Sequence, residues 1–283
     1  MPASGTKSTP AVAEAPSPAG PPGPCTRLLP TLQLGGAWQM ALDDWLLDQD
    51  RPALRLYRWQ RPCLSLGRHQ RRFPAAWLRL AAQGTLELVR RPSGGGAVLH
   101  GGDLTYALVW PDPPSNRFEA YRRASRWLQE AFLDLGQPLR FGNQRATLAA
   151  PSCFATHTAA DLVQGAGLKR IGSAQLWRGG CLLQHGSIQL AADGGLWRDV
   201  FGSDPPDLPS LPVAGERLEE VLLTAARRWL PLPPLRLEHL GAQELAAVAS
   251  GLDQFRLVPT PAAAGVAVSG SLTSPAASIE RTT

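Results

Sequence analysis

Residues 90–100 have the sequence RRPSGGGAVLH, a grouping whose residue types and spacing suit a binding site. Three successive glycines let a backbone approach a ligand closely and adopt positive φ. The two arginines before them can pair with a carboxylate or phosphate, and consecutive backbone N–H groups can form an anion-binding nest. The spacing matches neither the dinucleotide pattern GxGxxG nor a P-loop, because no GK[ST] follows. A flexible hairpin turn is the alternative interpretation.

A second candidate segment covers residues 169–187, with the sequence KRIGSAQLWRGGCLLQHGS. Its run of small residues, Gly172-Ser173-Ala174, interrupts a strand-like pattern and leaves room for a ligand against the backbone. A bulge packed under a bulky core residue is the alternative. Lys7 and Lys169 are the only lysines of the chain. Because arginine does not replace a compact point charge, the isolated lysine suggests a site, with a surface lysine as the alternative.

Four cysteines stand at positions 25, 63, 153 and 181. No CxxC pair occurs, so a structural zinc site has no support. A chain of 283 residues with 44% hydrophobic content can bury a core without disulfides, and free thiols in a reducing cytoplasm are expected. A free cysteine is most often a small buried hydrophobe. Cys63 and Cys181 fit that description, whereas Cys25 belongs to the N-terminal segment.

Hydrophobic patterns predict the elements that must position these residues. Helices are predicted at residues 38–47, 74–82, 118–135, 218–230 and 243–250. Strands are predicted at residues 53–59, 63–66, 86–89, 97–99, 105–110, 159–163, 169–177 and 181–190. Several strands are joined by short turns, which favours a mixed-sheet α+β or α/β domain over a strictly parallel doubly wound fold.

The composition of the termini predicts a folded domain at residues 27–258 between two disordered segments. Residues 1–26 are rich in Ala, Pro, Ser and Gly and lack the basic and apolar regions of a secretory signal, so they are predicted to be a leader. Residues 259–283 are predicted to be a similar tail. No stretch of ~20 apolar residues indicates a membrane span.

The two candidate segments together resemble the lipoate-protein ligase and octanoyltransferase family, which is related to the biotin protein ligases. RRPSGGGAVLH is followed by a K-x-x-GSAQ pattern beginning at Lys169 and by QHGS at residues 184–187. Residues 40–43 (MALD) resemble the family's first helix, and LYRW followed by SLGRHQ resembles its early strands. The resemblance extends from about residue 36 to residue 190. It implies a biotin/lipoate ligase-type catalytic domain of the α/β (α+β) class, with a mixed, largely antiparallel sheet flanked by helices.

The resemblance also implies an acyl tunnel between the glycine-rich loop and the lysine segment. Lys169 occupies the position of the family lysine that contacts the acyl carbonyl or its adenylate, where an ammonium group would stabilise an oxyanion. No metal site is expected. The residues expected to bind substrate are Arg90, Arg91, Ser93, Gly94, Gly95, Gly96, Ala97, His100, Gly172, Ser173, Ala174, His185 and Gly186.

Three reactions occur in such a family. A lipoate ligase uses ATP to form an acyl-adenylate, an octanoyltransferase takes the acyl group from acyl carrier protein, and an amidotransferase moves it between protein domains. Cys153, followed by Phe154, resembles the nucleophile of the cysteine-dependent octanoyltransferase branch. Its thiol must have a lowered pKa to attack as a thiolate, and Lys169, His157 and His185 are candidates for lowering it.

Further features bear on the choice of reaction. Gly96 is the ligase-like residue at the third glycine of the loop, whereas residues 104–106 (LTY) and a C-terminal region too short for an accessory domain favour transfer. The predicted activity is transfer of an octanoyl (or lipoyl) group to a lysine of lipoyl-domain proteins, such as the glycine cleavage H protein and 2-oxoacid dehydrogenase subunits, with no cofactor. The alternatives are an ATP- and Mg-dependent lipoate ligase, a non-catalytic acyl- or partner-binding relative and, with less support, a biotin transferase.

The formal net charge of +5 predicts acidic protein partners, which a basic enzyme attracts over long range. Nucleic acid is the competing partner for a basic chain, but the arginines are scattered and no known binding motif occurs. Neither nucleic acid nor membrane is expected as a partner, and the location is expected to be cytoplasmic. Arg122, Arg123 and Arg126 are predicted to form part of the docking face, with a solvated helix face as the alternative.

Overall fold

The computed structural model of the chain describes residues 23–142, 160–165 and 167–258. Its strands, in chain order, are β1 (Thr26–Leu28), β2 (Leu32–Leu34), β3 (Ala53–Trp59), β4 (Cys63–Leu66), β5 (Glu87–Arg90), β6 (Val98–His100), β7 (Asp103–Pro111), β8 (Leu139–Phe141), β9 (Leu162–Gln164), β10 (Leu168–Arg178), β11 (Cys181–Gln189) and β12 (Leu235–Leu237). Its α-helices are α1 (Gly36–Leu47), α2 (Ala75–Ala82), α3 (Arg117–Asp134), α4 (Gly194–Phe201), α5 (Gly215–Trp229) and α6 (Ala242–Ser250). No helix within these ranges is long and apolar enough to cross a lipid bilayer.

The larger of two sheets orders its strands β12-β1-β3-β7-β11-β10-β9-β8, with β2 also paired to β3. From β3 to β8 each neighbouring pair is antiparallel. The pairs that β1 forms with β12 and β3, and that β2 forms with β3, are parallel. The predicted mixed, largely antiparallel sheet flanked by helices is therefore confirmed.

The central strands of this sheet are buried on both faces. In β7, Leu104, Tyr106 and Leu108 pack in a core with α3 and α5, whereas Ala107 and Val109 pack in a second core with α1. Successive residues of a strand point to opposite faces. Polar residues on the same face as Ala107 and Val109 therefore also lie inside, on the α1 side. Thr105, His185 and Ser187 are thereby buried on the α1 side, whereas Gln184 points to the opposite face and donates to Ser125 of α3.

The smaller sheet has the strand order β5-β4-β6 and packs one face against α2 and α4. Trp77 of α2 is 1% exposed, and its indole N–H donates to the carbonyl oxygen of Val200 at 2.7 Å. Because side chains alternate along β4, Leu64 and Leu66 join this packing while Ser65 points the other way, toward the large sheet. This arrangement creates a space between the two sheets.

Several short elements lacked a sequence signal, namely β1, β2, β8, β12 and α4. β1 begins at Thr26, one residue inside the segment predicted to be leader. The Thr26 hydroxyl donates to the carbonyl oxygen of Pro233 at 2.7 Å, and Arg27 pairs with Glu244 at 2.7 Å. These partners are more than 200 positions away, so no local pattern marks the strand.

Candidate active site

A cavity of about 480 Å³, counting its open mouth, lies between the α1 side of the large sheet and the small sheet. Both segments singled out in the sequence contribute to its wall. Its lining residues within the described ranges are Met40, Tyr57, Trp59, Ser65, Arg91, Gly94, Gly95, Val98, His100, Thr105, Gly172, Ser173, Ala174, His185, Gly186 and Ser187.

His185 forms the centre of a buried relay of three side chains. Its Nδ1 lies 2.8 Å from Oδ2 of Asp43, and its Nε2 lies 2.5 Å from Oγ of Ser93. A carboxylate can only accept, so Nδ1 donates its proton to Asp43, and Nε2 either accepts from the Ser93 hydroxyl or, when the ring carries a second proton, donates to it. The relay, which we call the His185 relay, has the order of groups found in general-base triads.

The charge of Asp43 is fixed by its neighbours on β3. Arg55 Nε donates to Oδ1 at 2.9 Å, and the Tyr57 hydroxyl donates to Oδ2 at 3.1 Å. Burial opposes ionisation of Asp43, but the charges of Arg55 and His185 and their hydrogen bonds outweigh it, so the pKa of Asp43 is lowered. Burial, followed by the charge of Asp43, raises the pKa of Tyr57 well above its ordinary value. Asp43 therefore orients His185 as a carboxylate.

His100 forms a second buried relay on the opposite wall. Its Nε2 lies 2.8 Å from Oγ of Ser65, and its Nδ1 lies 2.7 Å from Oδ2 of Asp103. Trp59 stacks on the imidazole, with ring centroids 3.9 Å apart and planes inclined by 19°. The Trp59 indole N–H donates to Oγ1 of Thr105 at 2.9 Å, which fixes the stacked ring. We call this group the His100 relay.

Asp103 collects hydrogen bonds from several donors besides His100. Ser187 Oγ donates at 2.6 Å and Thr105 Oγ1 at 3.0 Å, both to Oδ2, and the backbone N–H of Gly101 donates to Oδ1 at 3.0 Å. Burial opposes ionisation, but the charge and hydrogen bond of His100, together with these donors, lower the pKa of Asp103. The two relays thus place two oriented imidazoles on the cavity wall, each held by an ionised aspartate.

The glycine-rich loop is held in shape from inside by Arg91. Its Nη2 donates to the carbonyl oxygens of Gly94 and Gly96, each at 2.7 Å, and its Nη1 donates to the carbonyl oxygen of Ser65 at 2.8 Å. These bonds tie the loop to β4. Arg91 also lines the cavity, and its predicted role in substrate binding stays a prediction.

Residues 67 and 68 hold the same loop from outside. A Cβ added to Gly67 would lie 1.9 Å from the carbonyl oxygen of Gly95, so no other residue fits at position 67 without moving the loop. The backbone N–H of Arg68 donates to the carbonyl oxygen of Ser93 at 2.8 Å. The chain after β4 and the glycine-rich loop therefore form one packed unit.

The small residues of β10 and β11 make room for Tyr106. The Tyr106 hydroxyl lies 2.8 Å from Ser173 Oγ and accepts from Gln184 Nε2 at 2.9 Å. A Cβ at Gly186 would lie 2.6 Å from the Tyr106 ring and 2.7 Å from Ser173 Oγ. Burial raises the pKa of Tyr106 to about 12, so its hydroxyl is a neutral hydrogen-bonding group. Gly186 is thus required by packing as well as by the cavity.

Lys169 is 4% exposed, and its Nζ lies 3.0 Å from Oδ1 of Asp161. It is a buried cation rather than a surface lysine, although it is not among the described residues that line the cavity. Cys153 and His157 lie outside the residues that the structure describes. The catalytic roles assigned to Cys153 and Lys169 stay predictions.

The structure brings most of the other predicted residues to one place. Ser93 forms a hydrogen bond with His185. The predicted residues that line the cavity are Arg91, Gly94, Gly95, His100, Gly172, Ser173, Ala174, His185 and Gly186. Arg90, Gly96 and Ala97 are not among the lining residues. Arg90 Nη1 donates to the carbonyl oxygens of Gly67 and Gln70, and Ala97 is packed in the core of the small sheet.

Sequence reasoning named Ser93, His100 and His185 but missed the two aspartates and the Ser65 hydroxyl of the relays. Asp43 was noted only as part of MALD, although an acid within an apolar helical pattern was a usable signal. Asp103 follows His100 by three positions, which places them near each other in a tight turn. Ser65 was noted only as the first residue of SLGRHQ, and it becomes significant because β4 pairs with β6.

The arrangement suits a ligand with an apolar body and a reactive polar end. Met40, Val98 and Trp59 supply apolar surface, and the two histidines can accept or return protons. Pockets of this composition, with few convergent polar groups, are typical of small-molecule sites. Imidazoles oriented by carboxylates are suited to general acid–base chemistry.

Comparison of the sequence with known proteins identifies relatives of the chain. The octanoyltransferase LipM of Kyrpidia tusciae is 35% identical over 230 residues, covering 69% of this chain and 84% of the relative. The LipM of Exiguobacterium sp. is 33% identical over 193 residues, covering 62% of this chain and 70% of the relative.

Among solved structures, a putative lipoate protein ligase from Thermoplasma acidophilum with bound lipoic acid superposes with a TM-score of 0.68 at 20% identity, covering 82% of this chain and 95% of that chain. Lipoate-protein ligase A bound with ATP gives 0.66 at 20% identity, covering 81% and 95%. These likenesses show the fold. The family model described as the lipoyl protein ligase A/B catalytic domain matches residues 36–208. The chain therefore belongs to the lipoyl protein ligase A/B catalytic-domain family.

Proposed function

We propose that this protein is an octanoyltransferase that moves an octanoyl group from acyl carrier protein to a lysine of a lipoyl-domain protein, through a thioester on Cys153. The observation that carries the proposal is the cavity, in which the glycine-rich loop, β10 and β11 enclose apolar side chains and two oriented imidazoles. The octanoyltransferase name of the LipM relatives supports the acyl group and the reaction class.

The cavity wall supports an acyl chain as the ligand. Met40, Val98 and the ring of Trp59 offer apolar contacts, and each CH₂ group transferred from water to such a surface contributes about 0.8 kcal/mol. Gly94 and Gly95 allow the chain to lie against the backbone. Among the described lining residues the permanent cation is Arg91, and it donates to backbone oxygens of the glycine-rich loop and β4.

The proposed reaction has two steps. In the first, the thiolate of Cys153 attacks the carbonyl carbon of the donor thioester, the donor C–S bond breaks, and the departing thiolate takes up a proton. In the second, the neutral amine of the acceptor lysine attacks the new thioester, the bond to Cys153 breaks, and an amide forms as the amine loses its proton. The thioester already activates the carbonyl, so neither step needs ATP.

Lys169 and the relay histidines supply the other groups that these steps require. An ammonium at Lys169 would stabilise the negative charge that develops on the carbonyl oxygen. His185, oriented by Asp43, can accept the proton that the acceptor amine loses and return it to the departing sulfur. The proposed acceptors include the glycine cleavage H protein and 2-oxoacid dehydrogenase subunits, and the proposed location is the cytoplasm.

Intact-mass spectrometry tests the thioester directly. The enzyme is mixed with octanoyl-acyl carrier protein in the absence of ATP, in parallel with Cys153→Ala and with Cys63→Ala as a matched control at a buried cysteine. We expect the mass of one octanoyl group on the wild type and on Cys63→Ala, and none on Cys153→Ala. An adduct that persists in Cys153→Ala would overturn the assignment of the nucleophile.

Gly96, the ligase-like residue of the loop, favours an ATP-dependent lipoate ligase as a second candidate. In that case the wild type forms no adduct with octanoyl-acyl carrier protein, and a lipoyl domain gains lipoate only when free lipoate, ATP and Mg are all present. A non-catalytic relative would transfer no acyl group under either condition, although it could still bind the acyl chain.

A further inference from the structure

The positive charge of the chain is concentrated in one segment beside the cavity. Residues 61–91 contain seven arginines and one glutamate, a net charge of +6, while the whole chain has a formal net charge of +5. The rest of the molecule therefore has no excess of positive charge. This segment therefore supplies the excess positive charge that would attract an acidic partner over long range.

The most exposed part of this segment is the loop at residues 68–72, RHQRR, which we call the basic loop. Arg68, Arg71 and Arg72 are exposed, and within the described ranges none of them forms a salt bridge with an acidic residue. Beneath them, burial and then the charge of Arg71 lower the pKa of Arg90. Like charges thus meet at this point without an acid to offset them, and an anionic partner would relieve their repulsion.

Hydrogen bonds join the basic loop to the glycine-rich loop beside the cavity. Arg90 Nη1 donates to the carbonyl oxygens of Gly67 and Gln70, at 3.0 and 2.9 Å. The backbone N–H of Arg68 donates to the carbonyl oxygen of Ser93, and the Ser93 hydroxyl forms a hydrogen bond with His185. A partner bound on the basic loop would therefore sit beside the glycine-rich loop that lines the cavity.

The arginines of α3, predicted above to form the docking face, are in a different position. Arg123 pairs with Glu119 at 3.5 Å, and Arg126 pairs with Glu130 at 3.6 Å. The guanidinium of Arg126 also lies 3.9 Å from the ring centroid of Trp229, a cation–π contact that holds it on α5. Two of the three predicted α3 cations, Arg123 and Arg126, therefore already have acidic partners, whereas within the described ranges none of the three arginines of the basic loop has one.

We propose that the basic loop is the docking surface for the acyl donor, an acidic carrier protein whose acyl group enters the adjacent cavity. This inference rests on the proposed function and specifies where its donor binds. The acceptor must bring a lysine to the cavity mouth, and a cluster of arginines disfavours the approach of that cation. An acidic donor need not bring a cation to the cavity, so the charge of the loop favours it.

The test reverses the charge of the loop with Arg68→Glu/Arg71→Glu/Arg72→Glu. The matched control, Arg117→Glu/Arg122→Glu/Arg123→Glu on α3, changes the net charge by the same amount at another site. We expect the loop variant to raise the KM for octanoyl-acyl carrier protein by about tenfold or more, with a weaker salt dependence, because rim charges govern encounter. We expect its activity with an uncharged small thioester, octanoyl-N-acetylcysteamine, and its KM for the lipoyl domain to stay within about twofold of wild type, since neither depends on the loop.

The proposal is overturned if the loop variant keeps the wild-type KM for the carrier protein, if the α3 variant shows the larger increase, or if the KM for the lipoyl domain rises instead. Fluorescence anisotropy of labelled acyl carrier protein measures docking without turnover. Weaker binding to the loop variant than to the α3 variant supports the inference even if the wild type transfers no octanoyl group from either donor. A wild type that transfers no octanoyl group would reject the proposed function but not the docking surface.

Discussion

His185 and Asp43 are 142 positions apart in the chain, and Nδ1 of the imidazole lies 2.8 Å from Oδ2 of the carboxylate. The contact joins β11 to α1 across the wall of the cavity. Arg55 lies on the other side of the same carboxylate, 1% exposed. Asp43 therefore serves two roles, because it orients the histidine and neutralises a buried guanidinium.

Replacing Asp43 by alanine is expected to destabilise the protein strongly. Breaking a buried ion pair leaves the charge of Arg55 without compensation, which costs about 3–5 kcal/mol. Urea denaturation followed by circular dichroism measures the loss. Asp48→Ala is the control, because Asp48 is exposed and pairs with an exposed arginine, and its removal should cost at most about 1 kcal/mol. Equal losses in the two variants would show that the pair with Arg55 is not important for stability.

The contact of Gly67 with the glycine-rich loop predicts a steric effect. In Gly67→Ala the added methyl group would lie 1.9 Å from the carbonyl oxygen of Gly95, so the loop must move, at a cost of about 1–3 kcal/mol. Gly94→Ala is the matched variant in the same loop, since a Cβ there has no atom within 4 Å. Thermal unfolding should show a lower Tm for the first variant and a nearly unchanged Tm for the second. If both have the wild-type Tm, the loop is not packed as described.

Lys169 is expected to be needed for its compact charge. In the buried site beside Asp161 a guanidinium is too large and too flat to replace the ammonium group, so Lys169→Arg should lower kcat for octanoyl transfer by about 10²-fold or more. Steady-state transfer to a lipoyl domain measures this change, and near-wild-type circular dichroism establishes that the variant is folded. Retention of most of the activity in Lys169→Arg would mean that the position needs only a positive charge.

The described cysteines should differ in their rates of alkylation. Burial, followed by the charges of Glu87 and Asp103, raises the pKa of the Cys63 thiol well above its usual range. Burial and the carboxylate of Asp50 raise the pKa of Cys181 to about 12. A raised pKa lowers the thiolate fraction at neutral pH, so both should react slowly with iodoacetamide in the native protein.

Peptide mapping by mass spectrometry gives the rate at each site. Cys25, which is partly exposed, should be labelled before Cys63 and Cys181, and all three should react at similar rates in urea. Native-state labelling of Cys63 as fast as that of Cys25 would contradict the described burial.

Glu238 predicts an acid-dependent loss of stability. The hydrogen bond from Arg51, opposed by burial and supported by Arg236, lowers the pKa of Glu238 from 4.5 to about 2. A group whose pKa is lower in the folded state stabilises fully above its unfolded pKa and progressively less as the pH falls toward its folded pKa. The free energy of unfolding should therefore decrease between about pH 4.5 and 2, and less steeply in Glu238→Gln. Parallel curves for the two proteins would show that the pKa of Glu238 is the same in the folded and unfolded states.

The sequence by itself determined the longer elements and the two segments of the site. The helix predicted at residues 118–135 is α3, and the strands predicted at 53–59, 169–177 and 181–190 are β3, β10 and β11 within one or two residues. Such elements bury one face, so their hydrophobic residues recur at a regular spacing that can be read from consecutive positions. The glycine-rich and lysine segments were likewise recognisable from consecutive residues, because their small side chains allow a ligand to lie close to the backbone.

Tertiary structure decided how those segments become a site. Asp43 and Asp44 are adjacent in the same helix, yet Asp43 is fully buried against His185 whereas Asp44 forms a salt bridge with the partly exposed side chain of Arg178. A rotation of about 100° per residue separates their directions, and only the packing of α1 on the sheet selects which one faces the cavity. Ser65 reaches His100, and Ser93 reaches His185, through strand pairing and loop closure over long stretches of chain. Local sequence carries no record of such pairings, because their free energy comes from contacts that exist only once the sheets have packed.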